Sequence, residues 1–225
     1  MLLSDLLRET LDTANLECWQ RERTETPVRT FAVRLHAAGC SLRETAAILG
    51  PLGVERSHGA VWSWVYNLSD IVPDPPSATP TRVAVDETAV RINGEWSWVY
   101  AAIELETKVL LDVAVFGRRG TDPAAAFLHG LIQKHECSET VFLVDDAVYL
   151  TAPFRLGLSG QLECVDRNHI EQWFHTLKMR IDRFHSSWVG SRRSVRQCLA
   201  LFDHYYNFQR PHQALDERMP VEEVN

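Results

Sequence analysis

The sequence predicts an α/β chain: one mixed-sheet domain preceded by a small all-helical domain. Three observations predict it. Apolar residues recur at helical spacing through residues 1–68. Residues 69–82, SDIVPDPPSATPTR, hold four prolines and no periodicity, which reads as a semi-rigid linker. From residue 83 to 225, strand-like and helix-like segments alternate, as in an α/β order around a single sheet.

The elements follow in order. Leu2, Leu3, Leu6, Leu7, Leu11 and Ala14 share helical spacing. After Pro27, VRTFAVRLHAA reads as a second helix stopped by Gly39. Ser41 and Glu44 stand at capping-box spacing and open SLRETAAIL. The turn GPLGVER leads to SHGAVWSWVYNL, with Ser57 at its cap. Two short helices around a glycine-containing turn fit a helix-turn-helix. Its second helix would bring Arg56 and His58 to DNA. The competing account is a plain helical bundle in which Trp62, Trp64 and Val65 only pack.

Beyond the linker, TRVAVDETAV, EWSWVYAAIEL and VLLDVAVF read as strands, the first two joined by a tight turn at Asn93-Gly94. TDPAAAFLHGLIQKH is a helix with Thr121 or Asp122 at its cap and Pro123 in its first turn. TVFLVD is a buried strand, since it is continuously apolar. A loop-rich piece with room for a short helix follows, then a short strand QLECV. A helix runs from Asn168 to about Phe184, and SVRQCLALFDHYYNFQ ends before Arg210-Pro211.

Bulk properties narrow the function classes. No apolar run approaches the ~18 residues that span a bilayer, and the acidic amphipathic N-terminus does not resemble a secretory signal. The five cysteines are scattered, odd in number and never paired as CxxC. Reduced thiols in a cytoplasmic protein are the expectation, without a disulfide framework or zinc site. The net charge of −7 opposes nucleic-acid binding by the whole surface. Residues 172–215, however, carry seven basic and two acidic side chains. The acidic, lysine-poor composition would suit a high-salt cytoplasm.

Three carboxylates stand where catalysis could use them. Asp86 ends VAVD and Asp145 ends VFLVD, while Glu171 opens the helix NHIEQWFHTLKMR. Two acids at strand ends and one on a helix can converge on a pair of divalent metals, which would align a nucleophile and leaving group at phosphorus. A carboxylate in a run of valines is costly to bury without a partner, and regular alternation sends Glu87 to the opposite face from Asp86. Asp146 competes with Asp145, which directly continues the strand. Glu171 has a second reading, because Asn168 and Glu171 also stand at capping-box spacing. Lys178 lies seven residues on, nearly two turns along the same helix face. His175 extends that face, and Arg180 and Arg183 add charge that could hold a phosphate backbone.

These residues, in the strings VDETAVRINGEWSWVYAAIEL, FGRRGTDPAAAFL, FLVDDAVYLT and VDRNHIEQWFHTLKMRIDRFHSSWVGSRRS, resemble the DDE transposases of insertion sequences. The nearest likeness is to insertion-sequence family six, in its haloarchaeal-type members. The closing HYYNFQRPHQALDERMP resembles the tail of many transposase and integrase cores. The resemblance implies a ribonuclease H-like catalytic fold with Asp86, Asp145 and Glu171 as metal-binding triad and Lys178 as the accompanying basic residue. It implies two Mg²⁺ ions, replaceable by Mn²⁺, with Asp86 bridging them and Asp145 and Glu171 each holding one side. It further implies that Arg180, Arg183, Arg192, Arg193 and Arg196 contact phosphates. The expected reaction is 3′-end cleavage and strand transfer into target DNA at the element's terminal inverted repeats. Because two DNA ends must be paired, a homodimer or larger synaptic assembly is expected.

Two features depart from the family pattern. Asp145 and Glu171 are separated by only 26 positions, which leaves no room for an insertion domain. Asp146 also stands where a small residue is expected. Two other classes of function compete with the enzyme. One is a catalytically inactive, transposase-derived DNA-binding protein or repressor, which would need no convergent acids. The other is a nuclease for RNA–DNA hybrids, which would need no sequence-reading helix.

Overall fold

The computed structural model describes residues 23–144, 147–162, 168–182 and 187–224. The expected helix over Leu2–Ala14, both Asp145 and Asp146, and Arg183 lie outside the described residues. The chain divides into two compact units, one of residues up to Pro73 together with Gln197–Gln209, the other of Asp74–Arg196 together with the residues from Arg210 on.

In the first unit, α1 (Thr26–Ala38) starts with Pro27 in its first turn and stops at Gly39, whose φ of 121° few other residues adopt. Helix α2 (Leu42–Leu49) opens on the expected capping box. Glu44 N–H donates to Ser41 Oγ at 3.1 Å, and Ser41 N–H donates to Glu44 Oε2 at 2.7 Å. A short 3₁₀ turn, Gly50–Leu52, leads towards α3 (His58–Ser69). There Ser57 Oγ accepts from Ala60 N–H at 3.2 Å, as its cap position requires. The connection between α2 and α3 is longer than the ~3–4 residues of the tightest helix-turn-helix. Ala32, Val33, Leu49, Val61, Trp64 and Leu68 form the core, joined by Leu201 from the segment 197–209. Trp64 therefore packs, whereas Trp62 is exposed and stacks on Tyr66.

The segment 197–209, which the sequence grouped with residues 83–225, thus belongs with the first unit. It also carries a buried His204 stacked on Phe208 at 4.8 Å. Neither ring nitrogen has a hydrogen-bond partner among the described residues. Burial alone pushes its pKa down to about 4. The unfolded chain therefore takes up this proton first. The stability is intact above pH ~6.5, falls with pH through the window down to about 4, and then levels. At pH 5 the loss is on the order of 2 kcal/mol from this residue. A urea-denaturation series is expected to show a fall in midpoint between pH 7 and pH 5 that is smaller in His204→Phe; parallel curves would refute it.

The second unit is built on a five-stranded sheet in the order β3-β2-β1-β4-β5. Strands β1 (Arg82–Ile92), β2 (Glu95–Glu104) and β3 (Leu110–Phe116) form an antiparallel meander. Strands β4 (Val141–Val144) and β5 (Ser159–Leu162) are added in parallel beyond β1. This mixed sheet with helices against it is the expected ribonuclease H-like arrangement. Asn93 and Gly94, at φ 50° and 81°, make the tight turn expected between β1 and β2. The turn is fastened to a later segment: Asn93 N–H donates to Trp188 O at 2.8 Å, and Gly190 N–H donates to Asn93 Oδ1 at 3.0 Å.

Alternation sorts the sheet into two faces. Val83, Val85, Tyr100, Ala102, Phe142 and Val144 share one face, in a core with Ala124, Phe127, Leu128 and Leu131 of α4 (Thr121–Lys134) and Ala152 of α5 (Ala147–Arg155). Ala84, Val99, Ala101 and Ile103 point the other way and are also fully buried. Helix α6 (Asn168–Asp182) packs against β1 and β2, burying Ile170, Trp173, Phe174 and Leu177 at i, i+3, i+4, i+7 spacing. Helix α7 (Arg192–Phe208) follows, starting two residues before the expected Ser194.

Three expectations need correction. The cap of α4 is Gly120, at φ 126°, and neither Thr121 nor Asp122. Asp122 is taken up by Arg155 at 3.1 Å and by Arg118 at 3.7 Å. Strand β5 is SGQL, set by parallel pairing of Val141 with Ser159, so it starts two residues before the expected QLECV, whose last three residues lie outside the described ones. The proline-rich stretch is pinned at its end: Ala78 N–H donates to His135 Nδ1 at 3.2 Å, and Thr140 Oγ1 donates to Pro80 O at 2.6 Å. His135 Nε2–H donates to Leu111 O at 3.0 Å, so the buried ring is neutral in one tautomer, and burial lowers its pKa.

Candidate active site

Asp86 sits in the middle of β1, opposite Ala101 of β2, and is only half-buried where its neighbours Val83, Ala84 and Val85 are buried. Its Oδ1 accepts from the N–H of Glu87 at 2.8 Å, which fixes the carboxylate's direction. It shares the sheet face of Ala84 and Ala101, under α6, while Glu87 falls on the opposite face as alternation requires. The small neighbours Ala84 and Ala101 let the helix, with its Trp173 and Phe174, come close to the sheet.

Strand β4 runs parallel to β1, with Ala84 opposite Leu143. Val144, its last residue, is buried and reaches the level just short of Asp86. Asp145 and Asp146 come next in the chain and lie outside the described residues.

Glu171 is exposed on α6. Asn168 is already helical, so Glu171 is the fourth helical residue rather than the third that a capping box uses. An acid in the first turn also interacts favourably with the helix dipole. Lys178 and His175 are exposed on the same flank. Glu171 and Lys178 differ by about 20° around the axis and about 10 Å along it. This flank borders the buried stripe, so the side chains emerge at the edge of the helix–sheet contact.

The basic residues fall into separate places. Arg180 lies on α6, and Arg192, Arg193 and Arg196 open α7, all three exposed. Arg183 is outside the described residues. Arg56 and His58 belong to the first unit, both exposed at the start of α3. Arg56 is held by its Nε donating to Thr24 Oγ1 at 2.7 Å and its Nη1 to Glu55 O at 2.8 Å.

Glu104 is a buried carboxylate that the sequence reading passed over. Its Oε2 accepts from Glu106 N–H at 2.8 Å, Thr107 N–H at 2.6 Å and Thr107 Oγ1 at 2.8 Å. It closes the β2–β3 turn and is spent there. Among the described residues no three His, Cys, Asp or Glu side chains gather as metal ligands, and only two of the three triad candidates are among them. Carboxylate oxygens are nonetheless the donor type that hard divalent cations take. Cys40, Cys137 and Cys198 are free thiols, and no described helix is long and apolar enough to cross a membrane.

Comparison with known proteins follows the same residues. The DDE domain family DDE_Tnp_IS240 matches residues 80–212. An uncharacterized protein of Methanocaldococcus jannaschii, MJ0017, is 25% identical over 194 residues, covering 84% of this chain and 90% of that protein. The Staphylococcus aureus transposase for insertion sequence-like element IS431mec is 28% identical over 158 residues, covering 65% of this chain and 70% of its own. Among solved structures, the HTLV-2 integrase catalytic core in complex with magnesium superimposes with a TM-score of 0.47 at 8% identity, covering 66% of this chain and 99% of that one.

Proposed function

The chain belongs to the DDE-domain family of transposases, polynucleotidyl transferases, and from that premise we propose that it cleaves the 3′ ends of an insertion element at its terminal inverted repeats and joins them to target DNA. The observation that carries this reading is Asp86 on the sheet face covered by the helix of Glu171 and Lys178, with β4 ending beside it. Asp145 is taken over Asp146 because it directly follows the apolar run VFLV in the sequence.

Asp86, Asp145 and Glu171 would hold two Mg²⁺, or Mn²⁺ in their place. When bound, the ions supply charge at the attacking and leaving oxygens and lower the pKa of the attacking hydroxyl. The chain's own residues do the rest. Asp86, tied to the Glu87 N–H, offers a fixed ligand rather than a mobile one. Ile170, Trp173, Phe174 and Leu177 fix the helix from which Glu171 projects. Lys178, about two turns on, would hold the phosphate backbone leading away from the reacting bond, joined by Arg180, Arg183, Arg192, Arg193 and Arg196. Arg56 and His58 would meet the terminal repeats from the helical unit. Pairing of two ends would require at least a dimer, and the reaction is placed in the cytoplasm.

The test uses labelled duplexes from the DNA flanking the chain's own reading frame, with Mg²⁺ or with chelator. Metal-dependent 3′ nicking and joining is the expected result. Specific binding without nicking would replace the proposal by a DNA-binding derivative. Cleavage of RNA–DNA hybrid with no preference for the flanking DNA would replace it by a nuclease.

A further inference from the structure

The end of β3 seats Arg192, one of the arginines that the family resemblance gives to phosphate contact, in a way that the sequence does not reveal. Arg192 Nε donates to Ser97 Oγ at 3.4 Å. Its guanidinium lies against Gly117, where an added Cβ would meet Nη2 at 2.9 Å and Cζ at 3.2 Å. The φ of Gly117 is outside the left-handed region, so space and not backbone conformation calls for glycine. Ser97 is buried and holds the Nε side of the fork. Arg118 and Arg119 follow directly, both exposed, beside an open groove of about 530 Å³ bordered by Phe116 and Pro123. The Arg118–Asp122 pair is loose and solvent-exposed at 3.7 Å, and Arg119 makes no ion pair among the described residues.

The seat lies on the working face of the sheet. Trp98 pairs with Phe116, so Ser97 and Gly117 are the next residues in register and share the face of Ala101 and Asp86. Val113 is level with Asp86, two strands away, and Gly117 is four residues further on. At ~3.3 Å per residue and ~4.8 Å per strand, the seat is roughly 16 Å from Asp86.

We propose that Arg192, seated on Ser97 and Gly117 and flanked by Arg118 and Arg119, binds a DNA-backbone phosphate roughly 16 Å from Asp86 on the same face. A planar guanidinium held at one edge presents its remaining donors as a fork, the geometry that suits a phosphate. In a chain of net charge −7, such local sites must supply the attraction that the whole surface opposes. The inference rests on the DNA-transfer reading and adds to it a place where the element's end, or the target duplex, is held outside the metal site.

Fluorescence anisotropy in chelator, over a salt series, tests binding without chemistry. Two duplexes are used, one from the flanking DNA and one unrelated. Arg192→Gln is expected to lower the slope of log affinity against log salt by about 0.9, one phosphate contact. Gly117→Ala is expected to do the same with an unchanged melting temperature, because the flexible arginine moves and the backbone does not. The double variant is expected to lose no more than either single one, and Lys134→Gln, at the far end of α4, to keep the wild-type slope. Loss confined to the flanking duplex assigns the seat to the element's end, and loss confined to the unrelated duplex assigns it to target DNA. Arg192→Gln with the wild-type slope, while the wild type binds DNA, overturns the seat alone. A wild type that binds neither duplex overturns the DNA-transfer reading and the seat together. Should Gly117→Ala misfold, Arg192→Lys replaces it: slope kept, affinity reduced, as loss of the fork without the charge requires.

Discussion

Asp86→Asn is expected to lower strand transfer on the order of 10³-fold while leaving DNA binding and folding intact. Charge stabilisation by a bound metal is worth several kcal/mol, and ~4 kcal/mol corresponds to that factor. Asn keeps the shape and can still accept from the Glu87 N–H, so the local turn survives. The neutral amide also costs less than a carboxylate on the face where Ala84 and Ala101 are fully buried. The denaturation midpoint should therefore stay level or rise as activity collapses. A drop in midpoint parallel to the activity loss would mean that Asp86 is structural.

Trp173→Ala is the substitution expected to cost most in stability. The side chain is 2% exposed, on the buried stripe of α6. Removing so large a buried ring costs about 3–5 kcal/mol through lost transfer energy and the cavity left behind. The helix carrying Glu171 and Lys178 loses its main anchor to the sheet, so activity should fall with the urea midpoint. Trp173→Phe, keeping an aromatic ring, should recover most of both. A small effect of Trp173→Ala would show that α6 is held to β1 and β2 by other contacts.

Several local patterns were legible in the sequence, although the cap of α4 was not. The Ser41–Glu44 box, the Ser57 cap and the Asn93-Gly94 turn each depend on residues within four positions of one another, and all three formed. The three strands β1, β2 and β3 were legible as strand-like runs, the first two joined at Asn93-Gly94. Strand β5 starts two residues earlier than expected because its four residues are exposed and carry no alternation, while the apolar character of QLECV suggested the later start. Its position is set by pairing with β4, which is non-local. The grouping of residues 197–209 was equally hidden. Leu201 has the same apolar stripe whichever core receives it, and only packing with Ala32, Val33 and Trp64 decides.

The candidate site divides the same way. Asp86 stood out as an acid at the end of an apolar run, and the face of Glu171 and Lys178 followed from helical period. Glu104 looked unremarkable, because nothing in YAAIEL reveals that its carboxylate is consumed by the following turn. The Arg192–Gly117 contact joins residues on α7 and β3 and has no sequence signature beyond the FGRRG run. Sequence spacing finds chemistry along one element; it does not find a glycine kept small for an arginine from another.

Strand transfer by the wild type and by Glu171→Gln, on labelled flanking DNA with Mg²⁺ or Mn²⁺, tests the central claim most directly. Both proteins must first match in folding and DNA binding. The account predicts joined ends with the wild type and bound but unjoined DNA with Glu171→Gln. Equal joining by both would contradict it, since Glu171 would then serve the helix and not the metals.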